Sequence, residues 1–142
     1  MKRIIASTIT VFTLFIVACS IQQHVKPVPV VERSDEQICL VEDKTVRESF
    51  LPALRTALEA RGLAVSVVAS VAEARSCPIY ATYMANWRWD LAMYLAYAKI
   101  TVYKGTTEVG SATYDALLGG GRPDKFIDAE TKTRELVNAL FP

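Results

Sequence analysis

Apolar and polar residues alternate along much of this chain, which predicts that strands make up most of its second half. The clearest example runs from Ile79 to Asp90, where every second residue is apolar. A short β-branched and apolar run begins at Gln37, and another follows Gly62. Together these patterns predict five strands, over residues 37–42, 63–69, 79–90, 91–104 and 108 to about 117.

Two other segments show the three-to-four-residue spacing of amphipathic helices. The first runs from Val46 to Arg61 and ends at Gly62, a residue suited to the position after a helix. Pro52 costs little if this helix begins near Ser49, whereas it would kink a helix that begins at Val46. The second helix is predicted from about Pro123 to Phe141.

The order of these elements is β-α-β-β-β-β-α, which predicts an α/β (α+β) fold. A right-handed β-α-β crossover pairs the first two strands in parallel, and the remaining strands form an antiparallel meander. We therefore expect a two-layer sandwich, in which a mixed five-stranded sheet of order 2-1-3-4-5 carries both helices on one face.

The amino-terminal segment has the layout of a secretory signal. Lys2 and Arg3 are its only charges, and they precede an apolar run from Ile4 to Ala18. This run has 15 residues, fewer than the ~20 that a membrane-spanning helix needs.

The residues Ile16-Val17-Ala18-Cys19 resemble the lipobox of bacterial lipoproteins. The resemblance implies cleavage before Cys19, lipidation of its thiol by diacylglycerol and N-acylation, commonly with palmitate. Because Ser20 rather than Asp follows the cysteine, it also implies anchoring in the outer membrane, with the domain facing the periplasm. The alternative is an ordinary signal peptide with a chance cysteine.

Three segments follow from this reading: a lipoprotein signal peptide over residues 1–18, an acylated amino terminus with an extended tether over 19–34, and one globular domain over 35–142. Pro27 and Pro29 favour a polyproline-like tether, which at ~3.1 Å per residue would reach roughly 45 Å. The alternative is an edge strand around Val28, Val30 and Val31.

Charge and cysteine content argue against two classes of function, nucleic-acid binding and metal binding. The chain has 16 basic and 15 acidic residues, and loss of Lys2 and Arg3 leaves 14 basic residues, so no basic surface for nucleic acid is expected. In an exported protein, Cys39 and Cys77 are expected to form a disulfide that closes a loop of 38 residues. Two buried reduced thiols are the alternative. A metal site is not expected, since His24 is the only histidine.

Several stretches together resemble the Sbal-type lipoproteins, a family of short, functionally uncharacterised Gram-negative lipoproteins. They are Ile38-Cys39, Trp87-Arg-Trp89-Asp90 with Tyr94-Leu95, and the segment from Gly119 to Ile127. The resemblance implies location and domain size only. The predicted strand order is also similar to that of the TolB amino-terminal domain and of the small outer-membrane lipoproteins that activate peptidoglycan synthases, which is an analogy of fold.

Catalytic patterns are weak in this sequence. No nucleophile has a histidine in a recognisable arrangement, and the glycines at 119–121 lack the spacing of a phosphate-binding loop. No cofactor is therefore expected. Carboxylate pairs for a glycosidase-like mechanism would have to come from Asp90, Asp115, Asp124 and Asp128.

Aromatic residues form the more informative group. Tyr83, Trp87, Trp89 and Tyr94 cluster around the predicted hairpin of the third and fourth strands, either as core or as an exposed patch. Alternation also predicts a second set on the sheet face opposite the helices, which we expect to bind a partner: Tyr80, Met84, Arg88, Leu95 and Tyr97.

Two functions are consistent with these observations. The first is a lipid-anchored, non-catalytic module that binds an envelope protein or peptidoglycan. The second is an envelope enzyme that acts on glycans through paired aspartates. Exposure of the tryptophans would favour the first, and two aspartates converging in a cleft would favour the second.

Overall fold

A computed structural model describes residues 20–33 and 36–142, so the predicted signal peptide and Cys19 lie outside the described residues. The strands are β1 (Ser20–Lys26), β2 (Gln37–Val41), β3 (Ala64–Val68), β4 (Tyr80–Asp90), β5 (Ala92–Lys104) and β6 (Thr107–Leu118). The helices are α1 (Phe50–Ala60), α2 (Val71–Ala74) and α3 (Ala129–Leu140), with 3-10 turns at Val30–Arg33 and Pro123–Phe126.

The strands form one mixed sheet in the order β1-β6-β5-β4-β2-β3. Strand β2 pairs in parallel with β3 and β4, and all other pairs are antiparallel. The predicted two-layer α/β sandwich is therefore confirmed, including the order of the five predicted strands. The sheet contains a sixth strand, β1, which the sequence pattern did not predict.

Strand β1 corrects the prediction of an extended tether. Residues 22–26 pair continuously with β6, and Ser20 pairs with it again after an irregularity at Ile21. The two prolines come after the strand instead of interrupting it. Val28 then turns into the core, where it is buried and its backbone N–H donates to the carbonyl of Leu140. The edge strand therefore precedes Val28, Val30 and Val31, around which the alternative hypothesis placed it.

Helix α1 begins at Phe50, and this start places Pro52 in the first turn, where a missing N–H costs little. Gly62 follows the helix with a φ of 84°, the left-handed conformation expected after a helix end. The carboxy-terminal helix is shorter than predicted. Residues Pro123–Phe126 form a separate 3-10 turn, and the Asp128 carboxylate accepts a hydrogen bond from the Thr131 N–H and starts α3.

Helices α1 and α3 cover one face of the sheet, here called the helix face. Small residues of β4 and β5 (Ala81, Ala85, Ala96 and Ala98) are buried there and allow the helices to approach closely. Large apolar side chains from both helices complete this core: Phe50, Leu54, Leu58, Leu136, Val137 and Leu140.

The short helix α2 lies on the other face, here called the open face. Ile38 and Leu40 of β2 join the main core, whereas Cys39 between them packs with Ala74 and Tyr80 in a second cluster. The right-handed rule for connections between parallel strands explains why α2 lies on the open face. The connections β2-α1-β3 and β3-α2-β4 cross the sheet in opposite directions, so their helices must lie on opposite faces.

The predicted disulfide between Cys39 and Cys77 is present, with the two Cα atoms 6.1 Å apart. It links β2 to the segment that leads from α2 into β4. In the chain-entropy model, closure of a loop of this length contributes roughly 4 kcal/mol to the free energy of unfolding. The open face is therefore covalently braced where α2 covers it.

Candidate functional site

The five residues predicted to bind a partner do not all lie on one accessible surface. Met84 and Arg88 are exposed, and Tyr97 is half-buried on the open face. Tyr97 pairs with Asn86 of β4 and with Asp115 of β6, in the middle of the sheet. These three residues remain a candidate partner surface, which we call the open-face patch.

Leu95 was wrongly predicted on that surface. Strand β5 carries one extra residue, because Asn86 pairs with Tyr97 while the next residue, Trp87, pairs with Leu95. This β-bulge leaves Ala96 unpaired and reverses the alternation beyond it. Leu95 consequently turns to the helix face, where it is only 1% exposed.

Tyr80 does lie on the open face, but helix α2 covers it. Its side chain packs with Cys39 and Ala74 and stacks on Tyr103, with ring centroids 5.2 Å apart. As a whole residue it is 4% exposed, so it does not belong to the open-face patch.

The predicted aromatic cluster divides into core residues and one exposed residue. Tyr83 is buried, and its hydroxyl oxygen accepts a hydrogen bond from the Asp43 N–H at 3.0 Å. Burial is the main cause that raises the pKa of Tyr83. Trp87 packs edge-on against Phe50 beneath the Arg47 guanidinium. These residues support the core, whereas Trp89 is 72% exposed.

Exposed apolar residues are concentrated where β4 turns into β5. Trp89, Leu91 and Met93 lie in or beside this turn, and Leu91 is 90% exposed. Leu91 also has a φ of 61°, which is rare for a residue with a branched apolar side chain. Such a backbone conformation costs on the order of 1–3 kcal/mol. We call these three residues the hairpin tip.

The first described residue lies at the same end of the molecule as the hairpin tip. Ser20 pairs with Leu118 at the end of β6, and Leu118 is itself exposed. Neighbouring Gly119 lies close to both Ile21 and Lys125, so that a side chain here would meet both. Cys19 precedes Ser20 directly, and consecutive Cα atoms are ~3.8 Å apart.

Lys125 joins this end of β1 and β6 to the hairpin tip. It is only 3% exposed, and its ammonium group donates to the Asp90 carboxylate and to the Gly120 carbonyl. The same ammonium lies 5.2 Å from the ring centroid of Tyr94 and 5.1 Å from that of Phe126. Lys125 therefore fixes the position of the hairpin relative to the glycine segment.

The four aspartates considered for catalysis each hold the chain in place. Asp90 pairs with Lys125, and Asp128 starts α3. Asp115 accepts from the Leu117 N–H, and Asp124 pairs with Arg122. The hydrogen bond from Arg122 holds the pKa of Asp124 below its usual value, the opposite of what a general acid requires. The cleft between α1 and the start of α3 is lined by Asp128 but by none of the other three aspartates.

Within residues 20–33 and 36–142, no three histidine, cysteine, aspartate or glutamate side chains are grouped closely enough to hold a metal ion. No helix in the same residues is long and apolar enough to cross a membrane.

Comparison with solved structures identifies a similar fold. The chain resembles PelC. Two structures of PelC dodecamers from Paraburkholderia phytofirmans match with TM-scores of 0.61 and 0.57, at 17% and 15% sequence identity. The matches cover 85% and 87% of this chain and 99% of each PelC chain. At this identity the likeness shows the fold alone.

Sequence comparison gives no corresponding relative. No family model matches the chain, and no curated protein matches it. The resemblance to Sbal-type lipoproteins stays a prediction, and PelC provides the structural likeness instead.

The Lys125–Asp90 pair gives a direct test of how the hairpin tip is held. We expect Asp90→Ala to lower the free energy of unfolding by about 1–3 kcal/mol, because it leaves a buried ammonium group without its carboxylate. Lys125→Met should lower the free energy of unfolding by less, since Asp90 is half-exposed and water can solvate its charge. Urea unfolding of both variants measures the difference. An equal or larger loss for Lys125→Met would contradict this account.

Proposed function

We propose that this protein is a non-catalytic accessory lipoprotein of the bacterial outer membrane, acylated on Cys19 and turned with its hairpin tip towards the bilayer. The observation that carries the proposal is the position of Ser20, which pairs with Leu118 at the same end of the sheet as the hairpin tip. An acyl chain on the preceding residue would enter the membrane beside exposed apolar side chains. The domain would sit directly on the membrane, without a long tether.

The exposed residues at this end suit the membrane interface. Trp89 is an amphipathic aromatic residue of the kind enriched at the boundary of bilayer and water. Leu91 and Met93 add apolar surface beside it, and the Arg88 side chain nearby supplies a charge that can remain in water. A hairpin tip with this composition supplements the acyl chains, of which two or more hold a protein stably in a membrane.

Self-association is the first partner that we propose. The similar fold of PelC occurs in dodecamers, and a closed ring of copies about an axis normal to the membrane would keep every hairpin tip at the bilayer. In that orientation the sheet stands on the membrane and the open face points sideways. The open-face patch of Met84, Arg88 and Tyr97 would then contact a neighbouring copy.

The process that we propose for this assembly is exopolysaccharide export, in which it would act as an accessory and not as an enzyme. One feature supports the non-catalytic role: all four candidate aspartates take part in structural contacts. The glycan-acting enzyme remains the weaker candidate, because each of those aspartates is already engaged in an ion pair or a hydrogen bond that holds the chain.

Replacement of Leu91 tests the membrane-facing end. In a Cys19→Ser background, which has no acyl chains, we expect Leu91→Asn to weaken binding to phospholipid vesicles about tenfold, because one leucine side chain leaves an apolar environment at a cost of about 1.5 kcal/mol. Asparagine tolerates a positive φ, so the thermal midpoint should not fall. Flotation of vesicles measures the binding.

Val31→Asn is the matched control for Leu91→Asn. Val31 is also exposed, at 72%, but it lies near the Lys104 end of β5, opposite the hairpin tip. We expect this variant to bind vesicles like the parent protein. An equal loss in both variants, or in neither, would show that the hairpin tip does not face the bilayer.

Replacement of the open-face patch tests the partner surface. We expect Arg88→Ala with Tyr97→Ala to reduce crosslinking between copies in intact envelopes more than tenfold, since truncated arginine and tyrosine anchors are among the costliest losses at interfaces. Secreted polysaccharide should fall in the same strain, while the thermal midpoint stays nearly constant. Arg55→Ala with Glu59→Ala, an exposed ion pair on α1, is the control.

Two results of this experiment would contradict the proposed surface. Unfolding of the double variant would show that its residues serve the core. Unchanged crosslinking would place the contact between copies elsewhere on the domain.

A further inference from the structure

A cleft on the open face lies at the end of the molecule away from the hairpin tip. Its volume is about 290 Å³, and it is lined by Val71, Arg75, Tyr80, Thr82, Tyr103 and Thr106. Tyr80 is the first residue of β4, and Asp90 beside the hairpin tip is the last of its 11 residues. At ~3.3 Å per residue, roughly 30 Å separates the cleft from the hairpin tip.

Three elements build this cleft. Helix α2 contributes Val71, and Arg75 follows at its carboxy-terminal end. Strands β4 and β5 contribute the stacked rings of Tyr80 and Tyr103, whose planes meet at 19°. The disulfide at Cys77 holds the segment between Arg75 and Tyr80 against β2. The walls are therefore fixed by a covalent link and by ring stacking.

The cleft carries positive charge only. Arg75 is the only charged residue among the lining side chains, and its guanidinium has no ion pair or hydrogen bond to another described residue. The Tyr80 hydroxyl also has no hydrogen-bond partner among the described residues, although the residue is 4% exposed. The planar guanidinium of an arginine, with hydroxyl donors nearby, is suited to binding a carboxylate.

Apart from Thr106, the remaining surface of the cleft is apolar. Val71 and the two tyrosine rings offer contacts to small alkyl groups. The volume lies just below the ~300–1,000 Å³ found for ligand pockets, so the cleft suits a few small residues rather than a long segment.

We propose that this cleft binds the free carboxylate at the end of a short peptide with alanine-sized side chains. Arg75 would pair with the carboxylate, the hydroxyl groups of Tyr80 and Thr82 would donate to it, and Val71 would contact a methyl side chain. Peptidoglycan stem peptides and protein carboxyl termini both supply this chemistry. The inference deepens the proposed function, because it gives the membrane-anchored module a ligand on its periplasmic side.

Titration of the purified full-length protein in detergent tests the cleft, with chemical shifts of backbone amides as the readout. The probes are acetyl-Ala-Ala in its L,L and D,D forms, each as the free acid and as the amide. We expect the acid to shift the amides of Val71, Thr82 and Tyr103 saturably. The amide should bind at least tenfold more weakly, since it lacks the charge.

Arg75→Gln should weaken binding of the acid at least tenfold, and its thermal midpoint should match that of the parent because the guanidinium makes no ion pair or hydrogen bond with a described residue. Arg55→Gln on α1 is the matched control and should leave binding unchanged. Tighter binding of the D,D form assigns the ligand to peptidoglycan, and tighter binding of the L,L form assigns it to a protein carboxyl terminus; either supports the site.

Three results would overturn this proposal: no saturable shift with either acid, equal binding of acid and amide, or equal binding by the Arg75→Gln variant. None of them concerns vesicles or crosslinking between copies. Failure of the cleft therefore leaves the proposed membrane orientation to be decided by its own experiments.

Discussion

The pairing of β1 with β6 is the contact on which the orientation of this protein depends. It pairs the first described residues after Cys19 with β6 and fixes their backbone along an edge of the sheet. Ser20, which follows Cys19 directly in the sequence, consequently lies at the end where β4 turns into β5. If β1 were a flexible tether, the hairpin tip would have no fixed relation to the acylated cysteine. The proposed function therefore rests on seven residues of edge strand.

Two further contacts, one at each end of the molecule, fix the elements that the orientation depends on. Lys125 is buried between Tyr94 and Phe126 and binds both Asp90 and Gly120. A buried ammonium group must be paired, so the hairpin cannot move away without leaving that charge unsatisfied. At the opposite end, the disulfide from Cys39 fixes α2 over the open face. The molecule thus has one end braced by a buried ion pair and the other braced by a disulfide, separated by the length of its strands.

Local patterns were enough to predict most of the fold, because alternation and helical spacing report directly on burial. Long-range pairing was not predictable in this way. Only Ile21 and Val25 mark the inward positions of β1, which is too little alternation to indicate a strand. The bulge at Ala96 leaves no local signal, so Leu95 was placed on the wrong face. Asp90 and Lys125 lie 35 residues apart. Helix α2 was not among the two predicted helices, so Tyr80, which it covers, was wrongly expected to be accessible.

The central claim is that the hairpin tip faces the bilayer, and quenching of Trp89 fluorescence by brominated lipids tests it most directly. The chain has two tryptophans, and Trp87 packs in the core against Phe50. In vesicles that carry the acylated protein, bromine on the upper acyl chain should quench the emission of Trp89 strongly, and Trp89→Phe should remove that quenched component. Equal emission in brominated and ordinary lipids, with Trp89 still exposed to aqueous iodide, would contradict the account.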